Sequence, residues 1–404
     1  MLPGIAASRC FPWRAIIWLE ANPGDMMMKM KAAVLHRSGA ERPYTVSRPL
    51  AIEEVDLDPP GPGEALVRIC SAGLCHSDLS AINGDRPRST PMVLGHEAAG
   101  FVEEIGSGVD DLKRGDHVVL NFIPSCGHCI PCAEGRPALC EPGAAANSAG
   151  TLLSGSRRLH QNGADIYHHL GCSAFAEYAT VSRRSLVKID PELSFEEAAL
   201  FGCAVLTGVG AVLNTARITA GSTVAVVGLG GVGLCSILGA SLAGASQIAA
   251  VDLLESKLAL ARTIGATDAF QASDPDCIQQ IRSATNGGVD FAFELAGSVR
   301  AMDLACKITR RGGTTVTAGL PPVADSFPVP QGSLVVEERT IKGSYFGSCV
   351  PVRDLPRYIA LYRQGRLPVN KLVSGSLTLE EINLGFDRLQ EGRAVRQIIL
   401  LHND

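Results

Sequence analysis

A Lys/Arg-rich block is missing from this 404-residue sequence, in which 36 basic residues face 41 acidic ones for a net charge of −5. That balance excludes the electrostatic footprint that nucleic acid or an anionic membrane surface demands. No continuous apolar run reaches membrane-spanning length, and the stretch Ala15 to Leu19 is too short for a signal-peptide core. Insertion and export are therefore both unsupported. Internal repeats and low-complexity tracts are also absent. What remains is a chain with 46% hydrophobic residues, long enough to bury a large core and to form two domains, and suited to small-molecule chemistry.

Cysteine, by contrast, is plentiful at thirteen residues. In a small secreted protein such a number suggests disulfides, but here the spacing is of metal-ligand type, and thiolate ligands point to a reducing compartment, the cytoplasm. The run Cys126-Gly127-His128-Cys129-Ile130-Pro131-Cys132, closed by Cys140, can wrap one tetrahedral zinc ion. Four thiolates saturate the metal and leave no position for a substrate, so this site holds a loop rather than performing chemistry. Four unrelated core cysteines fit less well, because a polar stretch punctuated by Gly and Pro buries poorly.

Residues 1–27 look unlike the rest of the chain. The cluster Met26, Met27, Met28 and Met30 precedes the strand-like Lys31-Ala32-Ala33-Val34-Leu35, so a start at Met28 would leave 1–27 as a disordered leader or a mis-annotated start. Between 28 and 204, short apolar runs such as Ala65 to Ile69 and His117 to Leu120 alternate with Gly/Pro turns and predict a mostly β domain. Between 205 and 344, strands at Thr223 to Val227 and Gln247 to Val251 flank a helical stretch from Val232 to Ala245, the alternation of βαβ units in a parallel sheet. A helix from Asp354 to Gln364 and a closing strand from Val395 to Leu401 predict that 345–404 returns to complete the first domain.

The strand at Thr223 runs directly into Gly228-Leu229-Gly230-Gly231-Val232-Gly233, a GxGxxG in the strand-to-helix context that dinucleotide binding requires. Gly228 permits the tight turn, Gly230 lets backbone approach a pyrophosphate, Gly233 lets helix and strand pack closely, and the helix N-terminus offers N–H donors to phosphate. Asp252 ends the next strand, where a carboxylate accepts hydrogen bonds from both adenosine-ribose hydroxyls and repels a 2′-phosphate. NAD is thus expected rather than NADP. Taken alone, Asp252 reads equally as a helix N-cap.

A second, open metal site is suggested by Gly73-Leu74-Cys75-His76-Ser77-Asp78, Gly95-His96-Glu97 and Gly202-Cys203, although spacing does not assemble segments so far apart. With the four-cysteine lobe, the GxGxxG and these segments in family order, the chain from about Lys31 to Leu401 resembles the zinc-dependent medium-chain alcohol dehydrogenases, in particular their dimeric, class III-like branch. The resemblance implies an α/β protein with a GroES-like, mostly β catalytic domain and a Rossmann domain, a doubly wound parallel sheet that binds NAD. It implies two zinc ions per chain and hydride transfer between a primary alcohol or its aldehyde and the nicotinamide. Cys75, His96 and Cys203 correspond to the catalytic zinc ligands, with the fourth position open to water or alcohol. Ser77 matches the hydroxyl that bonds substrate oxygen, otherwise a turn serine. Asp78 matches the carboxylate that orients the ligand histidine, and Glu97 the acidic neighbour behind the metal, otherwise a solvated residue.

On the cofactor side the resemblance places His76 and Arg396 at the pyrophosphate and Lys257 at the adenosine ribose, three residues that otherwise read as surface. Thr207 and Val232 would pack behind the nicotinamide, with Ala318, Gly319 and Leu320 at its carboxamide. Phe122, His169, Leu170 and Leu320 would line a channel for an alkyl or aromatic alcohol; Phe122 reads equally as core packing. Arg86 and Arg88 fit either an acidic substrate tail or a solvated loop. Two departures stand out: Ser80 occupies the position of a relay histidine, and Ala144 falls near that of an arginine that holds glutathione carboxylate. The long segment from Cys140 to Gly171 matches dimeric relatives, so a homodimer is expected. The alternatives are an S-(hydroxymethyl)glutathione dehydrogenase, favoured by His76 but disfavoured at Ala144, and a catalytically silent nucleotide-binding or sensor protein, disfavoured by the intact ligand set.

Overall fold

The computed structural model describes residues 18–22 and 25–401. The chain divides into two compact units, one joining everything up to Gly202 with the segment from Ser374 onward, the other spanning Cys203–Val373.

Two sheets make up the first unit. In one, Asp25–Leu35 pairs on one side with Leu50–Leu57 and on the other with Met92–Val93, and the path runs on through Leu159–Gln161 and Ala164–His168 back to Met92–Val93. Alternation along the long strand turns Met28, Met30, Ala32 and Val34 into a core with Val55, Leu66, Val93 and Ile166, while Ala33 and Leu35 on its other face are buried as well. This strand begins at Asp25 and pairs with Leu19–Asn22 in the register Leu19↔Met27. Regular structure thus reaches further back than the boundary expected at residue 27, because Met26 and Met27 find strand partners; the expectation for residues 1–17 lies outside the described residues.

The second sheet is built around Glu64–Gly73, all ten of whose residues are buried. It lies between Ala98–Ile105 on one side and Tyr178–Ser182 and Arg396–Leu400 on the other. A strand paired along both edges and covered on both faces explains why its apolar residues do not alternate. It delivers the chain to the site: Gly73 N donates to Glu97 O at 2.8 Å and Leu74 N to Gln397 O at 3.0 Å. A Cβ at Gly73 would come within 2.8 Å of Glu97 Oε2.

The second unit holds a six-stranded, all-parallel sheet. Numbered in chain order, Thr223–Val227, Gln247–Asp252, Asp268–Gln271, Val289–Glu294, Thr309–Thr317 and Thr340–Gly343 lie in the order 3-2-1-4-5-6. Helices Gly231–Leu242, Glu255–Thr263, Cys277–Ala284 and Val299–Ile308 supply the first four crossovers. This is the doubly wound dinucleotide-binding topology. Small residues at the sheet centre, Ala225, Ala249 and Ala292, meet Ile281, Ala305 and Ile308 of the helices.

The segment expected to return to the first unit from residue 345 does so only from Ser374. Its first part stays in the second unit because its polar side chains are committed there. The Cys349 thiol donates to Leu206 O at 3.2 Å, and Asn214 Nδ2 donates to Asp354 Oδ2 at 3.3 Å and to the Tyr358 hydroxyl at 3.4 Å. The unbroken helical stretch Phe195–Ala216 is, at 22 residues, long and apolar enough to cross a membrane, contrary to what the residue pattern suggests. In the structure most of it is buried inside the protein, which gives its apolar character a packing role.

Candidate active site

The helical stretch that starts at Phe195 is opened by Ser194, whose hydroxyl accepts from Glu197 N at 3.3 Å. It then widens into a π-helical turn over Phe201–Val205. Such turns insert one residue into the helical ladder and re-aim the side chains beyond it. The re-aimed residue is Cys203, and the turn is held close because a Cβ at Gly202 would lie 2.5 Å from Leu120 O. Cys203 thereby joins Cys75, which caps the helix His76–Ile82, and His96 and Glu97 from the loop before Ala98–Ile105. One ligand atom from each of these four buried residues lies within 4.8 Å of the others.

His96 is oriented for metal binding. Its Nδ1 lies 3.1 Å from Asp78 Oδ1, which also accepts from Gly95 N at 3.1 Å. Donation from Nδ1 to a carboxylate leaves the lone pair on Nε2. Nε2 is buried without a hydrogen-bond partner, with Glu97 Oε1 4.0 Å away. Burial disfavours a charged His96, but the Asp78 carboxylate and the Cys75 sulfur outweigh it and raise the pKa to about 10. Burial likewise opposes ionisation of Asp78, yet His96 and His169 hold it below the usual carboxylate range. An anionic nest that stabilises a proton on His96 suits a cation at Nε2. Two thiols, one imidazole lone pair and a further oxygen side chain nearby make a set that fits zinc with an open position.

The acidic neighbour Glu97 is fully buried and forms an ion pair with Arg396. Arg396, expected at the cofactor and otherwise on the surface, is 3% exposed and sits behind the metal ligands. Phe122 stands edge-on to the His96 ring, 5.4 Å between centroids, and His169 does the same at 5.6 Å. Ser77 is half-buried and His76 exposed on the first turn of their helix. Ser80 Oγ donates to Ser77 O at 2.9 Å, so this hydroxyl is turned back onto its own helix. Leu170 is buried with a left-handed φ of 52°. Leu320 belongs to the second unit and is 55% exposed.

The four-cysteine lobe is as compact as its spacing implies: Cys126, Cys129, Cys132 and Cys140 place their sulfurs within 4.8 Å of one another. Backbone donors converge on them, Cys126 N on Cys140 Sγ at 3.1 Å, Cys129 N on Cys126 Sγ at 3.3 Å and Gly143 N on Cys140 Sγ at 3.3 Å. N–H groups aimed at sulfur stabilise thiolates. Burial pushes against ionising Cys126, but the N–H groups of His128 and Cys129 prevail and lower its pKa to about 6. Cys132 is pushed up to about 12, by burial first and then by Cys129 and Cys140. Four thiolates coexist at this separation only around a cation.

In the second unit, Gly228 has φ +94° and a Cβ there would lie 2.6 Å from Ala296 N. A Cβ at Gly233 would run into Gly228 O, whereas one at Gly230 would meet nothing within 4 Å. Two of the glycines are thus required by packing and the third leaves an open approach at the helix N-terminus, the cradle a pyrophosphate fills. Asp252 ends its strand with Oδ2 accepting from Leu229 N at 2.7 Å and Oδ1 from Leu254 N at 3.0 Å, so it is a fixed acceptor beside the glycine loop rather than an N-cap. Thr207 is buried, Val232 half-buried on the first turn of its helix, and Lys257 half-buried on the next helix. Ala318 and Gly319 are tied through their N–H groups to Glu294 O at 3.1 and 3.2 Å.

Fold and sites together define a zinc-dependent oxidoreductase with a dinucleotide-binding domain. The chain matches the family "Alcohol dehydrogenase GroES-like domain" over residues 61–191 and the family "Zinc-binding dehydrogenase" over 231–364. It is 39% identical to the S-(hydroxymethyl)glutathione dehydrogenase of a Synechocystis species, an alignment covering 92% of this chain and all of the relative. It is also 39% identical to the NDMA-dependent alcohol dehydrogenase of Amycolatopsis methanolica, over 92% of this chain and 99% of the relative. The crystal structure of benzyl alcohol dehydrogenase from Acinetobacter calcoaceticus superposes with a TM-score of 0.86 at 32% identity, covering 93% of this chain and 99% of that one. The chain belongs to the zinc-dependent medium-chain alcohol dehydrogenase family, enzymes acting on small alcohols and aldehydes.

Residue spacing alone did not bring out the pairing of Arg396 with Glu97, the π turn that aims Cys203, or the approach of His169 to Asp78. The only local signal was glycine: Gly73 and Gly202 stand where a Cβ would strike Glu97 or Leu120.

Proposed function

We propose that the protein is an NAD-dependent alcohol dehydrogenase that interconverts primary alcohols, alkyl or aromatic, with their aldehydes, using one catalytic and one structural zinc per chain. The observation that carries this reading is the buried set Cys75, His96 and Cys203 with an unpartnered Nε2 on His96. Bound there, zinc would act as a Lewis acid that makes an alcohol hydroxyl acidic enough for hydride to leave its carbon. The chain supplies the rest. Asp78 fixes the His96 tautomer, and the Glu97–Arg396 pair holds a charge-balanced layer behind the ligands. Ser77 Oγ would accept the substrate hydroxyl proton while releasing its own to water, since Ser80 is turned back onto Ser77 O. Phe122 excludes water on one side and offers an apolar wall suited to an alkyl or aromatic group. The glycine loop, Thr207, Val232, Lys257 and the Ala318 to Leu320 stretch would hold the cofactor, and the Asp252 carboxylate favours NAD over NADP.

Several observations extend this reading. The strand Thr340–Gly343 is a sheet edge, and Val335 and Val336, at the end of the helix Gln331–Val336 just before it in the chain, are 70 and 69% exposed. An open edge with apolar neighbours suits pairing with a second copy, the homodimer. No disulfide joins any of the described cysteines, in keeping with a reducing, cytoplasmic setting.

The test is NADH formation by zinc-replete protein over short, long and aromatic primary alcohols, with and without glutathione. Turnover without glutathione that disappears in Cys75→Ala supports the proposal. Activity only with glutathione and formaldehyde would support the alternative that the Synechocystis relative's name raises, although exposed Ala144 on the helix Glu141–Ala149 offers no cation for a glutathione carboxylate. A single zinc per chain would return the silent nucleotide-binding reading. Asp252→Asn should raise the KM for NAD about tenfold or more, the worth of a charge-assisted hydrogen bond, while leaving kcat near its starting value.

A further inference from the structure

Asp78 is approached by two imidazoles, not one. His96 Nδ1 stands 3.1 Å from Asp78 Oδ1 and His169 Nδ1 stands 3.2 Å from the same oxygen. Both rings are 1% exposed and set edge-on to one another. The second imidazole comes from the segment after the strand Ala164–His168, where the chain doubles back on itself: His169 N donates to Ser173 Oγ at 3.0 Å, and Cys172 N and Ser173 N donate to His169 O. Its backbone is therefore fixed. His169 Nδ1 is off line for a hydrogen bond to Oδ1, Asp78 Oδ2 beside it accepts from nothing, and His169 Nε2 is likewise without a partner. A fully buried carboxylate with one bare oxygen, next to a buried ring with a bare nitrogen, is an expensive arrangement unless the two serve each other. A small rotation of the ring about its Cβ–Cγ bond would complete the bond.

We propose that His169 is a positioning residue for the catalytic metal: its Nδ1–H shares Asp78 with His96 and holds that carboxylate aimed at His96 Nδ1. A carboxylate that accepts from Gly95 N, His96 and His169 has its donors distributed so that it does not rotate away. His96 then keeps its lone pair on Nε2. The effect on substrate is indirect, which separates this role from lining a substrate channel. The inference rests on the reading of Cys75, His96 and Cys203 as zinc ligands.

The experiment compares the zinc-loaded wild type with His169→Phe, which keeps an aromatic ring and removes the donor, and His169→Asn, whose amide N–H can occupy the Nδ1 position. Release of zinc to a coloured chelator is monitored over time, and the same proteins are loaded with cobalt for their visible spectrum. For His169→Phe, one of the two zinc ions should leave on the order of tenfold faster, within the range seen when a partner behind a metal ligand is removed. The other ion should leave at the wild-type rate, and the cobalt ligand-field bands should shift. His169→Asn should restore most of the slow release. Equal release from wild type and His169→Phe would overturn the proposal, as would faster loss of both ions together or a failure of His169→Asn to differ from His169→Phe. A wild type that binds only one zinc would instead overturn the two-metal reading itself, before any variant is compared.

Discussion

Both cysteine-rich sites use the same chemistry and solve opposite problems. In the lobe at Cys126 to Cys140 every candidate ligand comes from one short loop, three of the four are partly exposed, and the groups that stabilise the sulfurs are backbone N–H donors of that loop and of the first turn of the helix after it. In the other site the ligands come from the end of Glu64–Gly73, the loop at His96 and the helix at Cys203, all are buried, and the supporting groups are side chains: Asp78, the Glu97–Arg396 pair and Phe122. A closed site needs only a loop that can fold around the ion. An open one must hold three ligands apart while a fourth position stays available to substrate, and that requires a rigid second layer.

Removing a ligand from each site is the strongest way to separate them. Cys75→Ala should abolish measurable alcohol oxidation, a loss on the order of a thousandfold or more if the Lewis acid supplies about 4 kcal/mol or more of transition-state stabilisation. Metal analysis should then find one zinc per chain, with the melting temperature little changed. Cys129→Ala should do the reverse in kind: the lobe loses its ion, the thermal midpoint falls by roughly 10 °C for about 4 kcal/mol lost, and protein assayed promptly at low temperature retains turnover. If Cys75→Ala lowered the midpoint as much as Cys129→Ala, the division into a chemical and a structural site would fail.

The two sites also differed in how far they could be read from the residues. Cys126, Cys129, Cys132 and Cys140 announce themselves, because a local site leaves a local spacing. The glycine loop was equally legible, and the structure gives the steric reason for Gly228 and Gly233 in the carbonyl and backbone atoms a Cβ would strike. For Cys75, His96 and Cys203 the residues alone offered no assembly rule, since tertiary folding brings them together; only the resemblance to a family placed them. The boundary at residue 345 was misplaced because the helix Pro351–Arg363 looks the same in sequence whichever unit it packs on. What decides it is the commitment of Asp354 and Tyr358 to Asn214, a contact without any sequence period.

The supporting layer gives a finer test. Asp78→Asn keeps the shape of the side chain but replaces an acceptor-only group with one that is half donor, so His96 loses the charge that fixes its tautomer. The open site should bind zinc about ten- to a hundredfold more weakly, measured by competition with a chelator, while the four-cysteine lobe keeps its affinity. Equal weakening at both would mean that Asp78 acts on the whole unit and not on His96.

The smallest effect is expected at Gly202, where the two kinds of support meet. The π turn Phe201–Val205 aims Cys203, and it lies flat against Leu120 O because nothing projects from Gly202. Gly202→Ala would place a methyl group 2.5 Å from that backbone oxygen, and the atoms around it, of Leu120, Glu97 and Ala98, are all backbone that cannot swing aside. The helix must shift instead, at a cost of about 1–3 kcal/mol. Because Cys203 is the next residue, the shift falls on the open site: kcat should drop severalfold and cobalt bound there should show altered ligand-field bands, with zinc in the four-cysteine lobe unaffected. Should Gly202→Ala lower the thermal midpoint yet leave kcat and the cobalt spectrum as in wild type, Cys203 would be positioned by its own packing, and the rigid second layer would end at Asp78 and Glu97.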